Sequence, residues 1–198
     1  MIFALLATLG FAGDPCTDND KVEELQTELS DLFETDRDDH ASNRYPAKLA
    51  KLDKQRSSYG YKLHRGGKLC NAQMSFYAAG LMVRSEKRTV LDAAYNMSKI
   101  AMMEHIHSAA WLTAVAYDRR QISQGLPQRY GTQLKQVDGK VCLYPFEDGI
   151  TDNERKQYDI PPIVETYQRV LDGNSLDRET ASFATLDAKN LFCELEMW

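Results

Sequence analysis

Ala101-Met102-Met103-Glu104-His105-Ile106-His107-Ser108-Ala109-Ala110-Trp111-Leu112-Thr113-Ala114-Val115-Ala116 is apolar nearly all round. A helix without a broad polar face has to be enclosed by other elements, so this segment belongs at the centre of the fold. It is the middle of a helical region predicted from Thr89 to Gln124, with a break near Ser108 and with Gly125 where a helix stops.

Toward the N-terminus, the pattern predicts a helix from about Asn71 to Val83. A basic helix from Pro46 to Ser58 carries Leu49 and Leu52. Another runs from Asp20 to Glu34, with Val22, Leu25, Leu29, Leu32 and Phe33 at helical spacing and Asp18 as its cap. The charge run Thr35-Asp36-Arg37-Asp38-Asp39-His40 lacks the glycine and closing glutamate of a calcium loop and reads as a solvated face. Tyr59-Gly60-Tyr61 and Arg65-Gly66-Gly67-Lys68 read as a punctuated loop; the glycine pair with Lys68 lacks the rest of a phosphate loop.

Toward the C-terminus, Tyr130 to Gln136 and Lys140 to Phe146 read as two strands, and Asp138-Gly139 between them is a hairpin signal. Thr151-Asp152-Asn153-Glu154 fits a capping box opening a short helix to Tyr158, and Pro161-Pro162 opens another through Leu171. An amphipathic segment from Asp177 to Met197, with Phe183, Leu186, Leu191 and Leu195, is expected to close the core. No repeat and no low-complexity linker interrupts the chain. The predicted fold is mainly α in an α+β sense: a single helical domain with a small antiparallel β-hairpin.

The 198 residues, 43% of them apolar, suffice for one domain with a real core, and a formal charge of −5 excludes general binding to nucleic acid or to anionic membranes. Residues 1–12 are uniformly apolar yet too short to span a bilayer, and Gly13-Asp14-Pro15 ends any helix. They read as a secretory signal cut after Ala12, leaving residues 13–198 as an exported domain, secreted or periplasmic in a bacterial cell envelope. No Lys or Arg precedes the run, and a buried N-terminal strand is the alternative. Cys16, Cys70, Cys142 and Cys193 contain no C-x-x-C pair. In an oxidising compartment they form two disulfides with three open connectivities, and otherwise they are four buried thiols.

The candidate site is Gly125-Leu126-Pro127-Gln128-Arg129-Tyr130-Gly131-Thr132-Gln133 together with Asp118-Arg119-Arg120 at the end of the central helix, where a helix hands over to a turn and a strand. Asp118 and Arg119 interrupt a buried face. Adjacent helical residues point about 100° apart, so each needs its own partner: amides or a cation for Asp118, a carboxylate or an anionic ligand for Arg119. Arg120 reads as a solvated C-terminal cation. Gln128, Tyr130, Thr132 and Gln133 offer donors and acceptors but no nucleophile with a base beside it, and Arg155, projecting from the short helix that follows, is a further candidate ligand contact. On an unbroken helix Glu104, His107, Trp111, Ala114 and Asp118 share a stripe. His105 and His107 cannot share a metal ion there, and they read as core or rim histidines. No metal motif and no cofactor loop is found.

Asp118-Arg119, Gly125-x-Pro127-Gln128-x-Tyr130-Gly131-Thr132-Gln133, Leu143-x-Pro145-x-Glu147-Asp148, Asp152-x-x-Arg155 and Ile160-Pro161-Pro162 through Tyr167 resemble, in order, a bacterial domain-of-unknown-function family. The likeness centres on residues 89–170 and implies kinship of fold and a shared polar centre, with no known reaction. Gly60-Tyr61-Lys62 stands where such proteins often carry Gly-Trp-Pro, and their Gln-His pair is missing here.

Three functions follow as expectations. The first is a pocket binding a small anionic or amide-bearing ligand, whether a small molecule, glycan or peptide. The second is a hydrolase or transferase with Asp118 as general base and Arg119 stabilising charge. The third is a non-catalytic interaction protein whose polar cluster only braces a turn.

Overall fold

The computed structural model describes residues 15–42, 46–137 and 140–173. Seven helices are seen among them: α1 Asn19–Ser42, α2 Pro46–Arg65, α3 Ala72–Met82, α4 Arg88–Met103, α5 Ala109–Ile122, α6 Asp152–Lys156 and α7 Ile163–Gly173. Strands β1 Leu134–Val137 and β2 Lys140–Leu143 form an antiparallel pair in which Leu134 faces Leu143 and Val137 faces Lys140. The expected class, a mainly helical chain with a small hairpin, is what the structure shows. The hairpin residues Asp138 and Gly139, the N-terminal run 1–12, the segment 177–197 and Cys193 lie outside the described residues. No helix of the described chain is long and apolar enough to cross a membrane.

The central apolar run is two helices, broken near Ser108 as the sequence suggested. His105 and Ser108 take φ of 58° and 63°, left-handed values that end α4 and restart the chain as α5. Glu104 and His107 therefore do not share a helical stripe with Asp118. The helices α3, α4 and α5 pack through small residues, Ala78, Ala79, Ala93, Ala94, Ala109 and Ala116, with Phe76, Met82, Leu112 and Val115 filling the spaces between them. Small side chains let three backbones approach closely, and the larger ones interdigitate.

Both α1 and α2 run further than their sequence patterns predicted. Apolar spacing in α1 ends at Phe33, but the helix continues through the charge run to Ser42. In α2 the helix passes through Tyr59-Gly60-Tyr61, read above as loop, because Gly60 is where α2 meets α3: a Cβ there would stand 3.2 Å from the Ala78 carbonyl oxygen. The glycine serves close packing rather than a turn. Leu29, Leu63, Met74 and Leu81 form the core between these helices. A disulfide between Cys16 and Cys70, with S–S 2.02 Å, fastens the chain ahead of α1 to the α2–α3 connection. Cys142 on β2 is disulfide-bonded as well.

Caps fall where the sequence places them. Asn71 accepts a hydrogen bond from the Met74 amide at 2.9 Å, and Thr151 accepts one from the Glu154 amide at 3.2 Å. The hairpin rests on α7 through Leu143, Val170 and Leu171, and the loop ahead of it is held to α5 by contact of Tyr130 and Ile160 with Ala114.

Candidate functional site

Asp118 lies in the last turns of α5 with its side chain shut off from solvent at 0% exposure. Its Oδ1 accepts the amides of Arg129 (2.8 Å) and Tyr130 (2.9 Å). Its Oδ2 accepts the Thr132 amide (2.9 Å) and the Thr132 hydroxyl (2.8 Å). Burial pushes the Asp118 carboxyl above the usual carboxylate range, while the Tyr130 and Thr132 amides, the Thr132 hydroxyl and the Arg129 amide pull it back. Amides that would have extended β1 are spent on this carboxylate, which is why the strand predicted from Tyr130 begins only at Leu134 and why no strand alternation runs through residues 130–133.

Two more buried side chains close the same loop. Gln128 accepts from the Gln133 amide (3.0 Å) and donates to the carbonyls of Gln133 (3.2 Å) and Tyr144 (2.9 Å). Arg155, also at 0% exposure, donates to the Tyr130 carbonyl, to the Pro161 carbonyl (2.9 Å) and to the Thr166 hydroxyl (2.8 Å). Gly131 sits between these grips with φ of 69°, and a Cβ on it would overlap the Phe146 ring and come within 2.8 Å of Arg155 Nη1. Only glycine fits there. Tyr130 is buried and stacks between Tyr117 and Tyr158, with centroids 5.7 and 4.6 Å away.

The structure thus gathers Asp118, Gln128, Tyr130, Thr132, Gln133 and Arg155 into one cluster, as the sequence suggested. Their polar atoms, however, are turned on one another and on the backbone. A carboxylate holding four donors has no lone pair left for a substrate proton, so the general-base role expected of Asp118 has no geometric basis. The same holds for ligand contacts expected from Gln128, Thr132 and Arg155, whose hydrogen-bonding groups are enclosed. Their common effect is to fix a loop on the end of α5.

Arg119 is not part of that cluster. Its side chain projects from another side of α5 and makes no hydrogen bond or ion pair with a described residue. Burial pulls its guanidinium below the ordinary arginine value, and the neighbouring cation Arg84 adds to this; Asp53, Tyr144 and Glu86 act in the opposite sense from a greater distance than an ion pair. Arg84 itself holds Asp36 through Nε (3.2 Å), which leaves both terminal amino groups without a bond to a described residue.

Asp36 is the residue the sequence reading missed. It is 1% exposed and shared between Arg56 (3.2 Å) and Arg84, while Arg56 also holds Asp39 at 2.5 Å. The signal was present: Leu25, Leu29, Leu32 and Asp36 continue one helical stripe, so extending α1 by a turn carries the aspartate onto the buried face. Beside it, His40 Nε2 and Asp53 Oδ1 lie 2.8 Å apart. Ligand atoms of Asp36, His40 and Asp53 fall within 4.8 Å of one another, a spacing a metal ion could bridge. Two guanidiniums already occupy Asp36, and their charge opposes a cation there. His105 and His107 are exposed at the α4–α5 break.

Comparison of the chain with protein families, with curated proteins and with solved structures finds no match in any of the three. The functional reading accordingly stands on the geometry above.

Proposed function

We propose that this chain is an exported, non-catalytic binding domain that takes a small anionic ligand between Arg119 and Arg84. The observation that carries the reading is Arg119 itself. A half-buried guanidinium, beside a second cation and without a bonded carboxylate, is costly unless something negative joins it. Its planar fork suits carboxylate, sulfate or phosphate oxygens in a bidentate grip, and the free ends of Arg84 extend that grip. The Asp118 cluster serves the site at one remove, holding rigid the turn that follows the helix bearing Arg119. Export is supported by the apolar N-terminal run and by the Cys16–Cys70 disulfide, which belongs to an oxidising compartment. The kinship implied by the Tyr-Gly-Thr-Gln core would extend the bracing cluster to related proteins, whereas Arg84 and Asp36 lie outside the likeness.

Titration calorimetry with sulfate, phosphate and acetate tests the proposal. Saturable binding of at least one anion, abolished in Arg119→Met with the fold intact, is the expected result. Equal heats from the wild type and the variant would refute it.

A further inference from the structure

Arg84, one of the two cations of the proposed site, lines a cavity of about 460 Å³ between α1, α3 and α5, while Arg119 is not among the lining residues. Its walls include Phe33, Phe76, Tyr77, Trp111 and Val115, with Arg84 at one end. Val115 and Arg119 are one helical turn apart, about 6 Å along α5, so the apolar wall leads to the guanidinium. Two carboxylates border the cavity, but Asp36 is 1% exposed with both oxygens held by arginines, and Glu34 is paired with Arg37 at 2.5 Å; Arg84, 31% exposed, adds a cation that no second carboxylate neutralises. At the opposite rim Trp111 leaves 47% of its surface open. Pockets of this volume lined by aromatic residues, with few polar groups at one end, hold small molecules with an apolar body and a fixed head group.

Building on the anion-binding reading, we infer that the ligand is an amphipathic organic acid: a carboxylate gripped by Arg84 and Arg119 and an aromatic or aliphatic body lying in the groove against Phe33, Phe76 and Trp111. Charge complementarity selects the acid over its alcohol, and the groove selects it over a bare anion. A neutral glycan would leave the guanidiniums unmatched, and an inorganic ion would leave the whole cavity unused.

The test uses the full disulfide-bonded chain and three probes: 4-phenylbutyrate, 4-phenylbutanol and acetate. Binding is followed by titration calorimetry and by tryptophan fluorescence in a Trp198→Phe background, where Trp111 is the sole emitter. The acid is expected to bind at least tenfold more tightly than either the alcohol or acetate and to shift Trp111 emission to shorter wavelength. Trp111→Ala, a change at a half-exposed position, should weaken the acid several-fold and leave acetate unaffected. Arg84→Lys keeps Asp36 paired and should narrow the preference for acid over alcohol. If acetate or phosphate binds through Arg119 but phenylbutyrate gains less than twofold over acetate, or binds without moving Trp111, the groove is not part of the site; this inference is then wrong and the anion site stands. If the alcohol binds as well as the acid and neither acetate nor phosphate binds, both readings fail, as they do if nothing binds.

Discussion

Asp118 and Arg155 hold the same residue from opposite sides. The Tyr130 amide donates to the Asp118 carboxylate at 2.9 Å, and the Tyr130 carbonyl accepts from the Arg155 guanidinium. Two oppositely charged side chains, both sealed from water, thus meet through one residue of backbone. In Asp118→Asn the amide would turn an N–H toward donors that need an acceptor. A loss of about 2 to 4 kcal/mol in chemical denaturation is expected, the range for breaking a buried polar network. The change should couple to Arg155→Met: in a double-mutant cycle the joint loss should fall short of the sum by about 0.5 to 3 kcal/mol.

Gly131→Ala is expected to disturb the same loop sterically. The residue would have to hold a left-handed φ while its Cβ overlaps the Phe146 ring, so destabilisation of at least about 2 kcal/mol should appear as a lower urea midpoint. An unchanged midpoint would mean that the loop can be rebuilt without these grips.

Reducing the Cys16–Cys70 bridge releases a loop whose ends are 54 residues apart. The chain-entropy relation gives about 4 kcal/mol for a closure of that size. Comparison of Cys16→Ser/Cys70→Ser with the wild type should show a loss of that order, confined to stability and without effect on anion affinity, because the bridge lies away from Arg119.

Tyr59 donates to Glu28 at 2.7 Å, and burial followed by that carboxylate pushes its phenol up to about 12. The unfolded chain ionises near 10, so it loses the proton first. The contribution of this group to stability is complete below pH 10 and declines as pH rises from 10 through about 12. Stability measured across that window should fall less steeply in Tyr59→Phe than in the wild type.

Much of the fold was legible because periodicity, caps and turn residues agree: Asn71, Thr151 and Gly125 mark ends the structure keeps, and the two strands on either side of the Asp-Gly signal pair antiparallel. The failures share a cause, which is that tertiary partners decided them. Gly60 reads as loop until α3 is known to press against it. Asp36 reads as solvated until Arg56 and Arg84 arrive from elsewhere in the chain. The cluster around Asp118 was visible as a concentration of polar residues after a buried helix, but its purpose was not. Whether a carboxylate faces a ligand or its own backbone depends on the course of a loop, and residues 128–133 fold back onto Asp118 instead of extending as a strand. Arg119 was singled out for the right physical reason, a charge on an apolar helix, and the structure separates it from the neighbour with which it was grouped.

The central claim is that Arg119 is a half-buried, unpaired cation kept for a negative ligand, and urea unfolding of the wild type and Arg119→Met with and without phosphate tests it most directly. Without an anion the variant should equal or exceed the wild type in stability, since an apolar side chain of similar length replaces an unpaired charge. Phosphate should then raise the wild-type midpoint and leave the variant unmoved. A variant that is markedly less stable without phosphate, or that gains from phosphate as much as the wild type does, would contradict the account.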